Sequence, residues 1–205
     1  MKPLDGISVL VTRPQGQAEG IASAIEANGG IAVRAPMLVI NKVGDLAEAF
    51  ATMQKLESFD IAIFVSRNAA DFGTQLIRDH DSWRLKAQVF ASGPSTVRRL
   101  GELGIDDVEA PSDEVGSEGL LRLRGLSKIC FKSKKIIIFR GSGGREHLAD
   151  TLKMRGAEVT YCECYERCKP DTTLKPILEK NELEIPDIGL ATSIDCLLYT
   201  SDAAD

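Results

Sequence analysis

Small polar residues and arginines follow the apolar runs of this sequence at five points. They occupy positions 12–14, 66–68, 92–96, 140–145 and 192–193. Each junction offers free backbone N–H groups, hydroxyl or amide groups and the positive end of a helix dipole, which favour an anion. Helix capping alone accounts for any single junction. Together with Arg13, Arg67, Arg98, Arg140 and Arg145, the junctions predict a site that binds several anionic groups.

The segment Gly141–Arg145 is the part of the chain most similar to a nucleotide-binding loop. A dinucleotide fingerprint needs glycine where this chain has Glu146, and a phosphate loop needs Gly-Lys followed by Ser or Thr. We therefore expect no nucleotide cofactor. Paired catalytic carboxylates, a Ser-His-Asp order and a G-x-S-x-G elbow are not evident either. The candidate groups are hydroxyls, backbone amides and guanidinium groups, which are typical of binding more than of covalent chemistry.

Cysteine usage favours reduced thiols and argues against a metal site. The five cysteines are at positions 130, 162, 164, 168 and 196, an odd number that fits a cytoplasmic protein. The cluster 162–168 lacks C-x-x-C spacing, and the two histidines, His80 and His147, are remote in sequence. We expect these cysteines to be small apolar residues of a strand, and we expect no metal.

Composition and charge narrow the range of partners. The net charge is −5, so no overall positive field attracts a nucleic acid, and aromatic residues make up only 5% of the chain. The N-terminal segment MKPLDGISVLVTRP resembles neither a signal peptide nor a membrane span. We expect a cytoplasmic, monomeric globular protein that binds a small molecule, with no nucleic acid or membrane as partner.

Strands and helices alternate along the chain. Five short β-rich runs cover residues 8–12, 60–66, 87–92, 135–139 and 187–193. Helical periodicity follows the first run until Gly29 and the fourth until Gly156. Such alternation predicts an α/β protein whose parallel sheets carry helices on their faces.

The sequence also contains an internal repeat. Arg13 and Arg140 each end a strand, an offset of 127 residues (140 − 13). The same shift places Gly29 on Gly156 and Ser66 on Ser193. We interpret this as two structural copies. The counterpart of residues 87–121 would begin beyond the last residue, so we expect the second copy to be incomplete.

Two extended segments follow equivalent helices and could pair as a connecting ladder. Residues 158–170 alternate like an exposed strand and end at a proline, and residues 35–40 take the matching place in the first copy. Tyr165 lies in the longer segment. From its position alone, a packing role is the more common one for such a tyrosine, and a catalytic role stays open.

These motifs, in their order and spacing, resemble the uroporphyrinogen-III synthase family. They are Thr12-Arg-Pro14, Phe64–Ala69, Gly93–Thr96, Ser117–Leu120, Phe139–Glu146, Gly156–Val159 and Tyr165-Glu-Arg167, spread over about residues 7–196. The resemblance implies two α/β domains joined by a two-stranded ladder. The first would combine residues 1–35 with 171–205, and the second would span 36–170.

The resemblance also implies an activity. The family closes the linear tetrapyrrole hydroxymethylbilane into a ring with inversion of ring D and loss of water, and it needs no cofactor. The resemblance maps the family's active-site tyrosine onto Tyr165, where its phenol could act as a proton donor. It maps the family's substrate-facing groups onto Ser66, Thr96, Ser142 and Ser193. The strand-to-helix junctions add as candidate binding residues Arg13, Asn68, Gly93, Ser95, Arg140 and Gly143.

The sequence departs from the family after Ser193. The family continues with a helix, a strand and a last helix, whereas residues 196–205 are unlike that pattern. We expect a C-terminally truncated chain with a non-native tail, an incompletely folded first domain and no activity of its own. Two other functions stay open: a non-catalytic flavodoxin-like or periplasmic-type binding module, and a phosphate-seating, sugar-isomerase-like domain.

Overall fold

The computed structural model describes residues 2–80, 85–127, 133–193 and 196–197. Its strands are β1 Ser8–Val11, β2 Ile31–Arg34, β3 Val39–Lys42, β4 Ile61–Phe64, β5 Gln88–Ala91, β6 Val108–Glu109, β7 Lys135–Gly141, β8 Glu158–Cys168 and β9 Ile188–Leu190. Its helices are α1 Glu19–Ala27, α2 Ala47–Met53, α3 Arg67–Asp79, α4 Pro94–Glu102, α5 Ser117–Arg122, α6 His147–Met154 and α7 Leu174–Lys180, with a short 3-10 turn at Leu56–Ser58.

The strands form two sheets. One has three strands in the order β2-β1-β9, and the other has six in the order β3-β8-β7-β4-β5-β6. Strand β1 runs parallel to both of its neighbours, and β4, β5, β6, β7 and β8 are joined by parallel pairs. The predicted α/β class with parallel sheets is confirmed.

The chain divides into two compact units. One unit groups the described residues up to Asn41 with those from Arg167 onward, and the other runs from Lys42 to Glu166. The larger unit buries a hydrophobic cluster around Ile63, Phe90, Ile136, Ile138 and Leu152. The smaller unit has a cluster on each side of β1, one around Val9 and Val11 and one around Leu10 and Val33. In the smaller unit, helices α1 and α7 therefore cover opposite faces of the parallel sheet, as buried parallel strands require.

The repeat predicted from the sequence is confirmed by strand register. Ser8 lies opposite Ile31 in the smaller unit, and Lys135 lies opposite Glu158 in the larger one. Both residues of the second pair are displaced by 127 positions from those of the first (135 − 8 and 158 − 31). The same shift of 127 positions relates the β1–β9 register to the β7–β4 register. The strand order β2-β1-β9 of the smaller sheet is therefore equivalent to the order β8-β7-β4 within the larger sheet.

Both copies also end their first helix in the same way. Gly29 and Gly156 have φ angles of 89° and 90°, in the left-handed region that favours glycine. Gly29 donates to the carbonyl of Glu26, and its counterpart Gly156 donates to that of Lys153. The predicted helix stops at these glycines are confirmed.

An aspartate fixes the start of the central strand in each copy. The carboxylate of Asp187 accepts hydrogen bonds from Ser8 N at 2.8 Å and from Ser8 Oγ at 2.6 Å. The carboxylate of Asp60 accepts from Lys135 N at 2.9 Å and from Lys134 Nζ at 2.6 Å. These bonds lower the pKa of Asp187, chiefly through the Ser8 hydroxyl, and that of Asp60, chiefly through Lys134.

Strand β8 differs from its sequence-based prediction. We expected an exposed strand over 158–170, but Cys162, Cys164 and Tyr165 are buried. The pairing with β7 shifts register at Arg140/Gly141, where Gly141 lies opposite Tyr165 and Cys164 is the extra residue. This β-bulge breaks the alternation and places two consecutive residues in the interior. Strand β3 lies beside β8 at the edge of the six-stranded sheet.

The prediction that the clustered cysteines are small apolar residues of a strand is confirmed for Cys162 and Cys164, whereas Cys168 of the same strand is half-buried. Cys162 and Cys164 are buried residues of β8 with free thiols. Burial raises the pKa of the Cys162 thiol to about 12 and also raises that of Cys164. Cys130 and most of the predicted non-native tail lie outside the described residues. Within the described part of the chain, every helix is too short or too polar to cross a membrane.

Candidate functional site

Two residues predicted separately from the sequence are in contact in the larger unit. The phenol oxygen of Tyr165, on β8, lies 3.0 Å from Ser66 Oγ, at the start of α3. Ser66 is the N-cap of that helix, and its Oγ also accepts a hydrogen bond from Ala69 N at 3.0 Å. The capping bond fixes the position of the serine hydroxyl, which in turn positions the phenol.

Gly141 makes this position of the tyrosine possible. A Cβ atom on Gly141 would lie 2.6 Å from Cε2 and 2.7 Å from Cζ of the Tyr165 ring. The ring of Phe72, on α3, stacks on another side with 5.8 Å between centroids. The Tyr165 side chain is only 1% exposed. The bulge, the glycine and the aromatic contact thus hold the phenol in one orientation.

The loop that follows β7 is held by an acidic residue of β8. Ser142 Oγ donates to Glu163 at 3.1 Å, and Gly143 N donates to the same carboxylate at 3.3 Å. Ser142 N also donates to the backbone oxygen of Tyr165 at 2.7 Å. The loop predicted to bind an anion therefore already holds a carboxylate of the protein itself.

Arg140 is buried and bonded internally. Its Nη1 lies 3.0 Å from Glu146, its Nε donates to the Gly141 carbonyl at 3.3 Å, and its guanidinium carbon lies 4.5 Å from the Tyr161 ring centroid. Tyr161 donates to Glu146, and this bond is the main cause that lowers the pKa of the Glu146 carboxyl. Burial, followed by the Glu146 contact, raises the pKa of Tyr161 to about 12, so its phenol stays protonated.

The junction after β5 forms a helix start with small residues. Gly93 is the N-cap of α4, and its carbonyl accepts from Thr96 N and Val97 N at 3.1 Å each. Thr96 is buried and its Oγ1 lies 3.4 Å from Ser92 Oγ, whereas Ser95 is exposed. A Cβ on Gly93 would lie 2.9 Å from the Val115 side chain. Glycine at this N-cap thus allows the loop after β6 to approach closely.

In the smaller unit, Ser193 occupies the position equivalent to Ser66. Its Oγ accepts from Cys196 N at 3.2 Å, as Ser66 Oγ accepts from Ala69 N, and both pairs are related by the 127-residue shift (193 − 66 and 196 − 69). Arg13 follows β1, and its buried Nε atom has no hydrogen-bond partner among the residues that the structure describes. Serine capping is therefore repeated in both copies.

The structure brings some of the predicted residues together and leaves others apart. Within the larger unit, Ser66, Ser142 and Tyr165 share one hydrogen-bonded neighbourhood, and Asn68 lies in the first turn of α3 beside it. Gly93, Ser95 and Thr96 form a separate helix start. Sequence reasoning missed the roles of Phe72, Glu146 and Glu163. For Glu163, the only signal in the sequence was its acidic side chain close to Tyr165.

The described residues offer no metal site. In the ranges 2–80, 85–127, 133–193 and 196–197, no three His, Cys, Asp or Glu side chains converge in a way that could hold a metal ion. The polar groups that do converge in the larger unit are hydroxyls, a phenol and carboxylates. Such groups can position a substrate and donate or accept a proton.

Comparison with known proteins gives a consistent result. The family model described as "Uroporphyrinogen-III synthase HemD" matches residues 19–204. The uroporphyrinogen-III synthase of Salmonella typhimurium is 37% identical over 166 residues, which cover 79% of this chain and 65% of the relative. The enzyme of the same name from Escherichia coli is 34% identical, with the same coverage, and that from Proteus mirabilis is 33% identical over 78% of this chain and 80% of the relative.

Solved structures show the same fold. A mutant uroporphyrinogen III synthase from Thermus thermophilus matches with a TM-score of 0.64 and 15% identity, over 97% of this chain and 77% of that one. The wild-type protein in another crystal form matches with a TM-score of 0.54. The chain spans 65% of the length of the Salmonella and Escherichia relatives.

Proposed function

The chain belongs to the uroporphyrinogen-III synthase family, and from that premise we propose, in place of the sequence-based expectation of an inactive chain, that it converts hydroxymethylbilane into uroporphyrinogen III. In this reaction the hydroxyl group on ring A leaves as water, ring D is inverted through a spiro intermediate, and the macrocycle closes. Because hydroxymethylbilane also cyclises without inversion in solution, the main task of the protein is to hold a flexible substrate in one geometry.

The contact between Tyr165 and Ser66 is the observation that carries this proposal. The Ser66 hydroxyl has one proton to donate, and it already accepts the N–H of Ala69. Tyr165 Oη lies 3.0 Å from Ser66 Oγ, and either hydroxyl can donate in this pair. We propose that Ser66 orients the phenol and that Tyr165 gives its proton to the leaving hydroxyl of the substrate.

Tyr165 is 1% exposed, so this role requires neighbouring side chains to move aside when the substrate binds. A site that excludes water prevents capture of the reactive intermediate and strengthens each polar interaction within it. Gly141 and Phe72 fix the ring, so the donor needs little reorganisation when the carbon–oxygen bond breaks.

Substrate binding is assigned to the helix starts and arginines. Hydroxymethylbilane carries an acetate and a propionate on every ring, and backbone N–H groups at helix N-termini suit such carboxylates. We propose as binding residues Arg13, Ser66, Asn68, Gly93, Ser95, Thr96, Arg140, Ser142, Gly143 and Ser193. For Ser142, Gly143 and Arg140 this requires the substrate to displace or share the contacts of Glu163 and Glu146.

No metal or organic cofactor enters the proposed reaction, and we propose that it takes place in the cytoplasm on a monomeric protein. The odd number of cysteines, five in the chain, supports a reducing compartment. Treatment with a chelator followed by gel filtration should leave the rate unchanged. Loss of activity that returns on addition of zinc would contradict the cofactor-free proposal.

The isomer composition of the product tests the activity. Hydroxymethylbilane is incubated with and without the protein, the products are oxidised to porphyrins, and isomers I and III are separated by chromatography. We expect isomer III to predominate only when the protein is present. An isomer ratio unaffected by the protein would contradict the activity and favour the non-catalytic binding module.

A further inference from the structure

The internal repeat allows two arginines to be compared in equivalent positions. Arg13 follows β1 and Arg140 lies near the end of β7, and each precedes a glutamate by six residues, Glu19 and Glu146. Both glutamates also lie at the start of the following helix, α1 or α6. The chain therefore supplies each arginine with a carboxylate at the same distance in sequence.

In the larger unit, the arginine forms an ion pair with the glutamate six residues after it. Arg140 pairs with Glu146 at 3.0 Å, and Tyr161 donates a hydrogen bond to the other oxygen of the same carboxylate. The guanidinium is buried, 6% exposed, and packs against the Tyr161 ring. Arg140 is thus held by groups of the protein.

In the smaller unit a second arginine takes the carboxylate. The residue equivalent to Tyr161 is Arg34 (161 − 127). Arg34 Nη2 lies 3.1 Å from Glu19, and its Nη1 lies 2.8 Å from Glu26. These contacts raise the pKa of Arg34, chiefly through Glu19. The carboxylate of Glu19 is therefore already paired with Arg34.

A second difference disfavours for Arg13 the buried position that Arg140 adopts. A Cβ on Gly144 would lie 2.8 Å from Arg140 Nη2, so the end of that side chain would have to shift. The equivalent residue of the smaller unit is Gln17 (144 − 127), which has a Cβ. Arg13 therefore has less room beneath its loop than Arg140 has.

The result is an arginine without an internal counter-ion. Among the described residues, the Arg13 guanidinium has no hydrogen bond or ion pair, and its buried Nε atom is unsatisfied. A buried donor without a partner destabilises the protein unless a ligand supplies the acceptor. An arginine fork is suited to a planar carboxylate.

We propose that Arg34 and Gln17 keep Arg13 free of internal ion pairs so that it binds a carboxylate of the substrate. Arg34 is then a positioning residue: it touches no substrate and acts by occupying Glu19. This inference rests on the proposed function for the identity of the ligand, an oligocarboxylate tetrapyrrole, and it assigns one of its anchors.

Binding of uroporphyrin III, a stable octacarboxylate, to the full chain provides the test. Arg13→Ala should weaken binding by about 10-fold or more, as expected for one charge-assisted hydrogen-bonded contact. The double variant Gln17→Gly, Arg34→Tyr reproduces the environment of Arg140 and should weaken binding to a similar extent. Addition of Glu19→Gln to that double variant removes the competing carboxylate and should restore binding to within about threefold of the original chain.

Rescue by Glu19→Gln separates positioning from a structural role, because a damaged fold would not recover when a further residue is changed. Unaltered binding by Arg13→Ala, or no recovery in the triple variant, would overturn the inference. If the double variant does not fold, the pair Arg34→Ala and Arg34→Ala, Glu19→Gln tests the same competition, with loss and recovery expected in that order.

The isomer assay separates this inference from the proposed activity. A chain that produces isomer III but binds uroporphyrin III equally well with and without Arg13 contradicts only the inference. A chain whose porphyrin binding depends on Arg13, Arg34 and Glu19 as described, but that does not change the isomer ratio, contradicts only the activity.

Discussion

Tyr165 and Ser66 lie 99 positions apart in the sequence, yet their hydroxyl oxygens are 3.0 Å apart. Each has a local structural role, since Ser66 caps α3 and Tyr165 packs against Gly141 and Phe72. Their contact adds a possible chemical role, because a phenol oriented by a fixed hydroxyl can deliver its proton in one direction.

Replacement of the phenol tests that role. Tyr165→Phe should lower turnover by about 100-fold, the low end of the range for a positioned proton donor, since the leaving hydroxyl is already activated by its pyrrole ring. Substrate affinity should change little. Ser66→Ala is the companion variant, which should reduce turnover less, because the donor itself remains. Steady-state kinetics on both variants provide the measurement, and an unchanged turnover in Tyr165→Phe would return Tyr165 to a packing role.

Individual candidate residues could be predicted from the sequence, but their contacts could not. Ser66 and Ser142 were identified from their position after strands, and the structure places both next to Tyr165. The neighbourhood of Arg140 was not predictable, because Glu146 and Glu163 could equally have faced solvent. Burial of a charged group is decided by tertiary contacts that no local pattern reports.

The bulge between β7 and β8 is the local feature on which the orientation of Tyr165 depends. It coincides with Gly141, the residue on β7 whose missing side chain leaves room for the tyrosine ring. Regular pairing would keep an alternating pattern and would not bury Cys164 and Tyr165 together.

Addition of a single methyl group at Gly141 should displace the tyrosine. In Gly141→Ala, the Cβ would lie 2.6 to 3.1 Å from Tyr165 atoms, so the ring or the strand must move. We expect a loss of about 1–3 kcal/mol in the free energy of unfolding, together with lower turnover. Gly101→Ala is the matched control, because a Cβ there meets no atom within 4 Å and Gly101 lies in α4. Equal urea midpoints for the two variants would contradict this packing account.

The bond between Asp187 and Ser8 predicts a pH dependence of stability. The pKa of Asp187 lies below its ordinary value of 3.8 in the folded chain. Its contribution is therefore present in full above that value and is lost as the pH falls through the lower pKa of the folded state. Asp187→Asn should be less stable than the original chain at pH 7, and the difference should shrink toward pH 3.

Urea unfolding at the two pH values measures this difference, and Asp60→Asn is the matched variant in the larger unit, where the carboxylate bonds to Lys135 N and Lys134. A difference between Asp187→Asn and the original chain that stays constant from pH 7 to pH 3 would contradict the assigned role of the carboxylate.

Periodicity predicted the main strands and the repeat, because buried parallel strands are nearly continuous apolar runs. The registers of β1 and β7 with their neighbours confirm the 127-residue shift that aligned Gly29 with Gly156. Strands β2 and β6 were not predicted, because both lie at a sheet edge with mostly exposed or half-buried residues and lack the continuous apolar run of a buried strand. The bulge was not predicted either, because one extra residue in β8 needs no particular residue type and therefore leaves no signal in the sequence.

Each of the two units has its own hydrophobic clusters, and the buried residues of one cluster in the larger unit lie between Ile61 and Ala157. We propose the domain boundaries 36–170 for this unit, which keep β3 beside β8 at the sheet edge. A unit that contains its own core and all strands of its sheet should fold independently.

The isolated fragment 36–170 tests this division. It should give an α/β circular dichroism spectrum and a single cooperative urea transition, with a stability in the range of about 5–15 kcal/mol that is typical of single domains. As a control, Leu152→Ala within the fragment should lower its stability by about 2–5 kcal/mol, because Leu152 is fully buried in the core. A fragment without a cooperative transition would show that the larger unit depends on the rest of the chain.

The dependence of product isomers on protein concentration tests the central proposal most directly. Hydroxymethylbilane is incubated with increasing amounts of the full chain in the presence of a chelator, and the oxidised porphyrins are separated. The account predicts that the fraction of isomer III rises with protein concentration until isomer I is nearly absent, because enzymatic closure outpaces closure in solution. A fraction of isomer III that stays at the value without protein, at every concentration, would contradict it.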